Sequence, residues 1–398
     1  MKKVIIFLHA MEIGGAERAL LGLLDSFDYS KYQVDLFLCH HQGELFDSIP
    51  SNVNILQENQ AKYLAVPMID LIKEKQFKML FGRLKAKIFA KSAIKRKKLK
   101  KDNQVELTYS HRYTYKYIDF INKDINYDLA ISFLTPHYIC LYKCNAKKKI
   151  AWIHTDYSTI DIDIEVEKKM WNSFDKIISI SDQCTKAFLT KMPGLSNKVI
   201  RIDNIITKGM ILSQADKDVA LEMVKKGDDI ILCSIGRFSY AKNFDNISEI
   251  CKKIIDYGIN IKWYIIGFGS DEELIKEKIE EHAMKEHVFI LGKKQNPYPY
   301  IKACDFYVQP SRYEGKAVTV REAQILCKPV IITRFPTSSS QLTDGYDGII
   351  VDMDNDGCAK GIVDFLNNKD LQKKIINNLK NSDYSNSNEI EKIYKLMG

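Results

Sequence analysis

The stretch DFYVQPSRYEGKAVTVREAQILCK, residues 305–328, joins three local patterns in one short run. DFYVQPS (305–311) is apolar and aromatic, as a buried strand is, and AVTVREAQILCK (317–328) has the apolar spacing of a helix. The loop RYEGK between them contains one glycine. Strand, short loop and helix in this order form the repeating unit of a parallel sheet, so the stretch predicts an α/β fold.

The same alternation extends to both sides of this stretch. In the second half, strands are predicted at 229–236, 261–267, 287–292, 305–311 and 328–333. In the first half they are predicted at 4–8, 34–38, 128–133, 148–154 and 175–181, with a helix at about 16–25 and helices and loops over 60–120. We therefore expect two doubly wound, Rossmann-like domains, 1–205 and 225–382, facing an interdomain cleft. The last segment, 383–398, is expected to form a helix that packs back on the first domain.

Composition supports a globular protein of about two domains: 398 residues, 45% hydrophobic and 28% charged. The apolar run from Val4 to Leu8 is shorter than a signal peptide or a membrane span requires, so a first strand is expected there. The nine cysteines are scattered and form no CxxC pair. They predict reduced thiols and a cytoplasmic location.

The positive charge is concentrated in residues 83–101, which contain ten Lys or Arg and no acid. Removing those ten charges from the net +8 leaves −2 for the remaining chain. Apolar residues such as Leu84, Ile88 and Phe89 are interleaved with the bases. We hypothesise a helix on an anionic membrane surface, at the inner face. A solvated basic helix is the alternative, and nucleic acid is disfavoured because the chain shows no nucleic-acid-binding motif.

Glu314 and Glu322 lie eight positions apart, in the loop and about two turns into the helix. The first helical amides, near Lys316 to Val318, would be unpaired donors that attract a phosphate. The two carboxylates would flank the phosphate and accept hydrogen bonds from sugar and ribose hydroxyls. This arrangement suits a nucleotide sugar. The alternative is that both are solvated surface charges.

Further candidates follow other strands. Arg237 and Lys242 come after the strand at 229–236 and would clamp a diphosphate as a leaving group, unless they are ordinary surface bases. Gly14 and Gly15 lie between a strand and a helix and would permit a close approach of phosphate or sugar, although a pair of glycines is often only a turn. His154 ends a strand and would position the reacting sugar, or serve a structural role.

Two patterns indicate other chemistry, and we interpret both as structural. IGFGSDEEL (266–274) has acids where a dinucleotide fingerprint needs its third glycine, so it predicts a turn rather than a pyrophosphate site. Asp161 and Asp163, and likewise Asp352 and Asp354, match the DxD pattern of metal-dependent transferases of another fold. Such short matches are common by chance, and we predict no metal site.

Taken together, the motifs resemble the retaining GT-B glycosyltransferases of family 4. The resemblance is strongest over 229–352, where GRFSYAKN, IIGFGSDEEL, YIKACDFYVQPSRYEG and the Glu314-x7-Glu322 spacing occur. In the first half it rests on GGAER, WIHTD and the IISIS strand.

The resemblance implies a role for each matching residue. Arg237 and Lys242 would hold the donor diphosphate, Glu322 the ribose hydroxyls, and Glu314 the transferred sugar. His154 would lie beside the reacting sugar. The amides of Gly315, Lys316, Ala317 and Val318 would contact sugar and phosphate, and Gly14 and Gly15 would line the cleft. Lys316 departs from the pattern, because many family members have a bulky apolar residue there.

The resemblance also implies the reaction. We expect a metal-independent, retaining transfer of a sugar from a nucleotide diphosphate, UDP before GDP, to a lipid-linked glycan acceptor in cell-surface polysaccharide assembly. No cofactor is expected beyond the nucleotide sugar. The alternatives are a nucleotide-sugar epimerase of the same fold, an NAD-dependent oxidoreductase, and a catalytically silent scaffold at the membrane.

Overall fold

The computed structural model describes residues 1–12, 14–99, 104–155, 157–158, 160–216, 219, 221–314 and 317–398. They divide into two compact units: a first unit of Met1–Ile206 with Asn386–Gly398, and a second unit of Thr207–Ser385. The stretch between the two predicted domains, 206–224, therefore falls almost wholly in the second unit. Its helix Lys208–Gln214 contacts later helices of that unit.

The described part of the first unit contains a parallel sheet of seven strands in the order β3-β2-β1-β4-β5-β6-β7. The strands are β1 (Lys2–Leu8), β2 (Tyr32–Leu38), β3 (Asn54–Ile55), β4 (Asn126–Ser132), β5 (Asn145–Ile153), β6 (Lys176–Ser179) and β7 (Val199–Arg201). Its helices are α1 (Gly15–Asp25), α2 (Met68–Lys73), α3 (Phe77–Lys97), α4 (Val105–Thr114), α5 (Tyr138–Tyr142), α6 (Ile164–Asn172), α7 (Asp182–Lys191) and the final α15 (Ile390–Leu396).

In the second unit, the described strands form a six-stranded parallel sheet in the order β10-β9-β8-β11-β12-β13. They are β8 (Ile230–Ile235), β9 (Ile261–Ile266), β10 (Val288–Gly292), β11 (Phe306–Gln309), β12 (Val330–Thr333) and β13 (Gly348–Val351). The helices are α8 (Lys208–Gln214), α9 (Ile247–Asp256), α10 (Glu272–Glu281), α11 (Tyr298–Ala303), α12 (Val318–Ile325), α13 (Asn355–Asn367) and α14 (Lys369–Asn381).

Each sheet is doubly wound, and its first strand marks the point where the strand order reverses. β1 pairs with both β2 and β4, so that Val4 lies opposite Val34 and Leu129. β8 likewise pairs with β9 and β11. Ligands of open α/β sheets bind at the carboxyl ends of the strands beside this switch point.

Apolar side chains explain why these strands are central. All the residues of β1 from Val4 onward are buried, as expected for a strand covered by helices on both faces. Trp171, Phe174 and Phe188 lie fully buried in the core of the first unit, and Phe238 and Trp263 in that of the second. The predicted α/β class is confirmed.

The structure corrects the list of predicted strands. β3, β7 and β13 were missed because they are two to four residues long or lie at a sheet edge. The final helix α15 packs on the first unit: the Tyr394 ring stacks on that of Tyr32 with centroids 4.2 Å apart. The Tyr394 hydroxyl accepts a hydrogen bond from the amide of Asp28.

Candidate functional site

Lys242 and Glu314 form an ion pair at the carboxyl ends of β8 and β11. The Lys242 ammonium lies 2.5 Å from a Glu314 carboxylate oxygen, and the two side chains are 20% and 9% exposed. Gly236 leaves room for the lysine stem, because a Cβ there would lie 3.2 Å from the Lys242 Cε. The fold thus brings together two residues that the sequence analysis selected separately.

A chain of hydrogen bonds fixes the Glu314 carboxylate from the other side. The Ser311 hydroxyl donates to the same carboxylate oxygen at 2.7 Å. It accepts from the Gln309 amide at 2.9 Å, and the Gln309 oxygen accepts from the Tyr307 hydroxyl at 2.7 Å. Tyr307, Gln309 and Ser311 are fully buried. Such a network holds the carboxylate in one orientation before any ligand arrives.

Arg312 joins the loop after β11 to the loop after β8. Its guanidinium donates two hydrogen bonds to the Asp245 carboxylate, at 2.9 and 2.7 Å, and lies 4.2 Å from the centroid of the Tyr240 ring. The Arg312 amide donates to the carbonyl of Ala241, next to Lys242. A bidentate pair restricts both the position and the orientation of the guanidinium. Arg312 therefore fixes the loop that carries Glu314 relative to the loop that carries Lys242.

Glu322 lies on α12 and is buried, with 6% of its surface exposed. One carboxylate oxygen accepts a hydrogen bond from the Tyr298 hydroxyl at 3.1 Å. The alternative of a solvated helix charge is therefore wrong for this residue. A buried carboxylate requires hydrogen-bond donors, which Tyr298 supplies in part.

The predicted amide site at the start of α12 is altered by a side chain. The Ala317 amide, which we expected to be free, donates to the Gln341 side-chain oxygen at 2.9 Å, so that expectation is wrong. Val318, the first residue of α12, is 45% exposed. Gly315 and Lys316, which were predicted to contact the donor, lie outside the described residues.

Arg237 is exposed just beyond β8, and its side chain has no ion-pair partner in the described chain. The loop after β9 packs directly on this segment: a Cβ at Gly267 would lie 1.8 Å from the Gly236 carbonyl oxygen, and one at Gly269 would lie 2.2 Å from that of Phe238. Both glycines serve close packing, in agreement with the predicted turn.

In the first unit, Glu17 occupies the space at the predicted glycine pair. A Cβ on Gly14 would lie 2.1 Å from a Glu17 carboxylate oxygen, whereas one on Gly15 would meet nothing within 4 Å. Burial raises the pKa of Glu17. The N-terminus of α1 therefore faces a carboxylate of its own first turn, which disfavours a second anion there.

Four histidines gather at the carboxyl edge of the first sheet. His9 follows β1, His137 follows β4, His154 follows β5, and His111 lies on α4. Burial lowers the pKa of His9 to about 4 and that of His154 to about 3, and it lowers the pKa values of His111 and His137 well below the usual value. All four rings are therefore neutral at pH 7.

Two of these histidines, His9 and His111, border a cavity of about 220 Å³. Its polar lining comes from His9, Glu12, Glu17, His40, Gln42 and His111. His111 Nδ1 and His154 Nε2 are buried and have no hydrogen-bond partner within the described part of the chain. Sequence analysis selected only His154. The position of His9 directly after β1, and of His137 in the loop that follows β4, was a signal that could have identified them.

The two DxD matches have structural roles. Asp163 caps α6 by accepting a hydrogen bond from the Val166 amide, and Asp354 caps α13 by accepting one from the Gly357 amide. Asp163 also pairs with Lys97 and accepts a hydrogen bond from the Tyr109 hydroxyl. Across the described residues, no group of three or more His, Cys, Asp or Glu is arranged to hold a metal ion.

Sequence reasoning missed the groups that surround the two glutamates and the start of α12: Tyr298, Tyr307, Gln309, Ser311, Arg312, Thr337 and Gln341. Thr337 and Gln341 belong to the polar run TSSSQ after β12. Its hydroxyl-rich composition after a strand was a usable signal, because a strand end is where site residues collect.

Comparison with known proteins finds a family match within the second half of the chain. Residues 220–382 match the family described as "Glycosyl transferases group 1". An uncharacterised glycosyltransferase of Methanocaldococcus jannaschii is 29% identical over 207 residues, which cover 50% of this chain and 52% of that protein. The chain thus spans about half the length of the curated relatives it matches.

A Campylobacter jejuni relative has a named activity. It is 28% identical over 163 residues, covering 40% of this chain and 44% of that protein. Its name is N-acetylgalactosamine-N,N'-diacetylbacillosaminyl-diphospho-undecaprenol 4-alpha-N-acetylgalactosaminyltransferase.

Among solved structures, a mutant of Staphylococcus aureus TarM in complex with Fondaparinux, alpha-GlcNAc-glycerol and UDP aligns with a TM-score of 0.62. The alignment covers 100% of both chains at 15% sequence identity. At that identity the likeness concerns the fold, which is GT-B.

Proposed function

We propose, because residues 220–382 match the family of group 1 glycosyl transferases, that this chain transfers a sugar from a nucleotide diphosphate to a glycan. The observation that carries the proposal is the Lys242–Glu314 pair, held at the sheet's switch point beside an uncommitted Arg237. UDP is the favoured nucleotide, since the aligned TarM complex contains UDP.

Donor binding would work by exchange of ion-pair partners. A diphosphate carries more negative charge than one carboxylate, so it competes for the Lys242 ammonium, and Arg237 supplies a second cation. Glu314 then keeps its hydrogen bond from Ser311 and gains capacity to accept from hydroxyls of the sugar. The buried Glu322 carboxylate would accept from the ribose hydroxyls.

The proposed reaction breaks the bond between the sugar C1 and the diphosphate oxygen and forms one between C1 and the acceptor oxygen. The acceptor's hydroxyl proton passes to the departing diphosphate. Negative charge grows on the diphosphate as it leaves, and Lys242 and Arg237 stabilise that charge. We propose retention of the anomeric configuration and no metal requirement. Proton NMR of the product anomer and assays in EDTA test these two points.

The acceptor would be a glycan of cell-surface polysaccharide assembly, lipid-linked as in the name of the Campylobacter jejuni relative. In the first unit, the cavity beside His9 and His111 offers polar groups suited to sugar hydroxyls. His154 keeps its proposed role beside the reacting sugar, with a neutral ring and a buried Nε2 that has no hydrogen-bond partner among the described residues. A cytoplasmic location is proposed because all nine cysteines are unpaired thiols.

Calorimetric titration with UDP, GDP and NAD tests the donor site directly. UDP should bind the wild type, and Glu322→Gln should weaken UDP binding about 10- to 100-fold, because hydrogen bonds to a charged group are lost. Glu281→Gln, on the exposed face of α10, is the matched control. Binding of NAD without UDP or GDP would reject the proposal in favour of an oxidoreductase.

A screen of UDP-sugars then separates transferase from epimerase. Conversion of the donor into its epimer with no acceptor present would favour the epimerase. Sugar transfer that requires an added glycan would favour the transferase. Circular dichroism of each variant verifies that it is folded.

A further inference from the structure

The long helix α3 presents two apolar faces, and only one of them is covered. Its buried face consists of the small or flexible residues Met79, Gly82, Ala86, Ala90 and Ala93. The buried positions recur at helical spacing, so they form one face of α3. This face packs against the rest of the first unit, where α3 contacts α4.

The opposite face of α3 carries large apolar side chains that are exposed to solvent. Phe77, Phe81, Leu84 and Ile88 are 60%, 66%, 45% and 68% exposed. Their spacing of four, three and four residues aligns them in one stripe, about half a turn from the buried face. The helix begins at Phe77, before the basic segment 83–101, so the sequence segment contained only part of the stripe.

The preceding helix α2 adds to this exposed apolar surface. Ile69 and Ile72 are 56% and 49% exposed, and α2 contacts α3. Residues 69–89 contain seven of the twenty-three large hydrophobic residues that are exposed in the described chain. Isolated exposed hydrophobics are ordinary, whereas a concentration of this kind marks an interaction surface.

Lysines flank the stripe on both sides. Lys78 and Lys85 project on one side of it, and Lys87 and Lys91 on the other, as the helical spacing dictates. All four are exposed, and none has an ion-pair partner among the residues described. α3 itself contains no acidic residue, and the ion pair of Lys97 with Asp163 lies at its far end, away from the stripe.

We infer that this face of α2 and α3, here called the stripe face, docks on an anionic lipid bilayer. An apolar centre bordered by Lys is the pattern of a helix that lies in a membrane interface, with apolar side chains at the acyl boundary and cations at the phosphates. A nucleic acid would meet the cations but would leave aliphatic Ile69, Ile72 and Ile88 without a suitable partner. The inference does not depend on the proposed sugar transfer.

Flotation of the full-length protein with vesicles tests the inference. The probes are vesicles of phosphatidylcholine alone and of phosphatidylcholine with 30% phosphatidylglycerol, a composition chosen for the test. Wild type should float mainly with the anionic vesicles, and raising the salt should reduce the bound fraction, because surface charges are screened.

Two variants separate the apolar and charged contributions. Phe81→Ser with Ile88→Ser should lower partitioning about 10-fold or more, since two side chains no longer enter the interface. Lys85→Ala, Lys87→Ala and Lys91→Ala together should lower it about 100-fold on anionic vesicles and little on neutral ones. Tyr257→Ser with Leu274→Ser, at exposed apolar positions of the second unit, is the matched control.

Three outcomes would overturn the inference: no flotation with anionic vesicles, equal flotation of the Phe81 and Ile88 variant, or equal flotation with neutral vesicles. A wild-type dimer that the same variant converts to a monomer, without vesicle binding, would instead identify the stripe face as a contact between copies. An unchanged urea unfolding midpoint, reported by Trp152 and Trp171 of the same unit, would verify the fold of the variant, and this control does not depend on the proposed transfer.

Discussion

The two units differ in the charge of the side chains that lie at the switch point of their sheets. In the first unit, neutral His9 and His137 follow the paired strands β1 and β4. In the second, the charged pair Lys242 and Glu314 follows β8 and β11. The doubly wound strand order therefore sets where side chains lie at the edge of each sheet, but not which residue types occur there. The chemistry of each site depends on those residue types.

The difference has a physical consequence for each unit. Histidines without charged partners are kept neutral by burial, so a lower pH reduces the free energy of unfolding of the first unit. In the second unit, the cation and the carboxylate neutralise each other until an anion competes for the lysine. The first unit is thus expected to respond to pH and the second to nucleotide.

The largest expected effect is the pH dependence of the first unit. The folded-state pKa values of His9 and His154, about 4 and about 3, lie below the 6.5 of an unperturbed histidine. Their stabilising contribution is full above pH 6.5 and is lost as pH falls through the folded values. Each should cost about 1.4 kcal/mol at pH 5.5, with His111 and His137 adding in the same direction. Buried Glu167, whose pKa is raised by burial, partly offsets this.

The three tryptophans make this measurable one unit at a time. Trp152 and Trp171 lie in the first unit and Trp263 in the second. Urea unfolding of Trp263→Phe reports on the first unit, and unfolding of the double variant Trp152→Phe with Trp171→Phe reports on the second. A first unit that is equally stable at pH 7.5 and 5.5 would show that these histidines are not held neutral.

A second comparison uses the two helix-capping aspartates. Burial acts to raise the pKa of Asp163, but hydrogen bonds from Lys97 and Tyr109 outweigh it, and the net pKa is lowered. Asp163→Ala should therefore cost about 2–3 kcal/mol, since it removes the cap and leaves the buried Tyr109 hydroxyl without its acceptor. Asp354→Ala removes only an exposed cap, which costs about 1 kcal/mol.

Urea unfolding with the same unit-specific fluorescence checks both variants. Asp163→Ala should destabilise only the unit reported by Trp152 and Trp171, and Asp354→Ala only the unit reported by Trp263. If either variant changed the affinity for Mn²⁺ in calorimetry, the interpretation of the DxD matches as caps would be wrong.

The third prediction concerns nucleotide affinity. Arg237→Ala with Lys242→Ala should weaken UDP binding about 100-fold, because two charge-assisted contacts to the diphosphate are lost. Glu17→Ala in the first unit should leave it unchanged. Lys276→Ala with Lys278→Ala, at exposed ion-paired positions of α10, is the control for charge alone. Equal loss of UDP binding in the control would show that general charge attraction, not a clamp, binds UDP.

The sequence by itself determined the α/β class and the strands from which the site residues project. Apolar runs such as VIIFL and DFYVQPS can be recognised locally, because burial on both faces leaves a continuous apolar signature. The spacing of Glu314 and Glu322 was also readable, since one strand-loop-helix unit contains both. Short edge strands such as β3 carry too few residues for any such pattern.

Only the tertiary structure determined which charged side chains form ion pairs. Lys242 and Glu314 are seventy-two residues apart, and no local pattern states that they pair. The same holds for Gln341, whose side chain takes the Ala317 amide, and for the burial of His111 among distant strands. Partners and burial depend on long-range packing, so the protonation of the histidines and the exposed stripe on α3 became visible only in the folded chain.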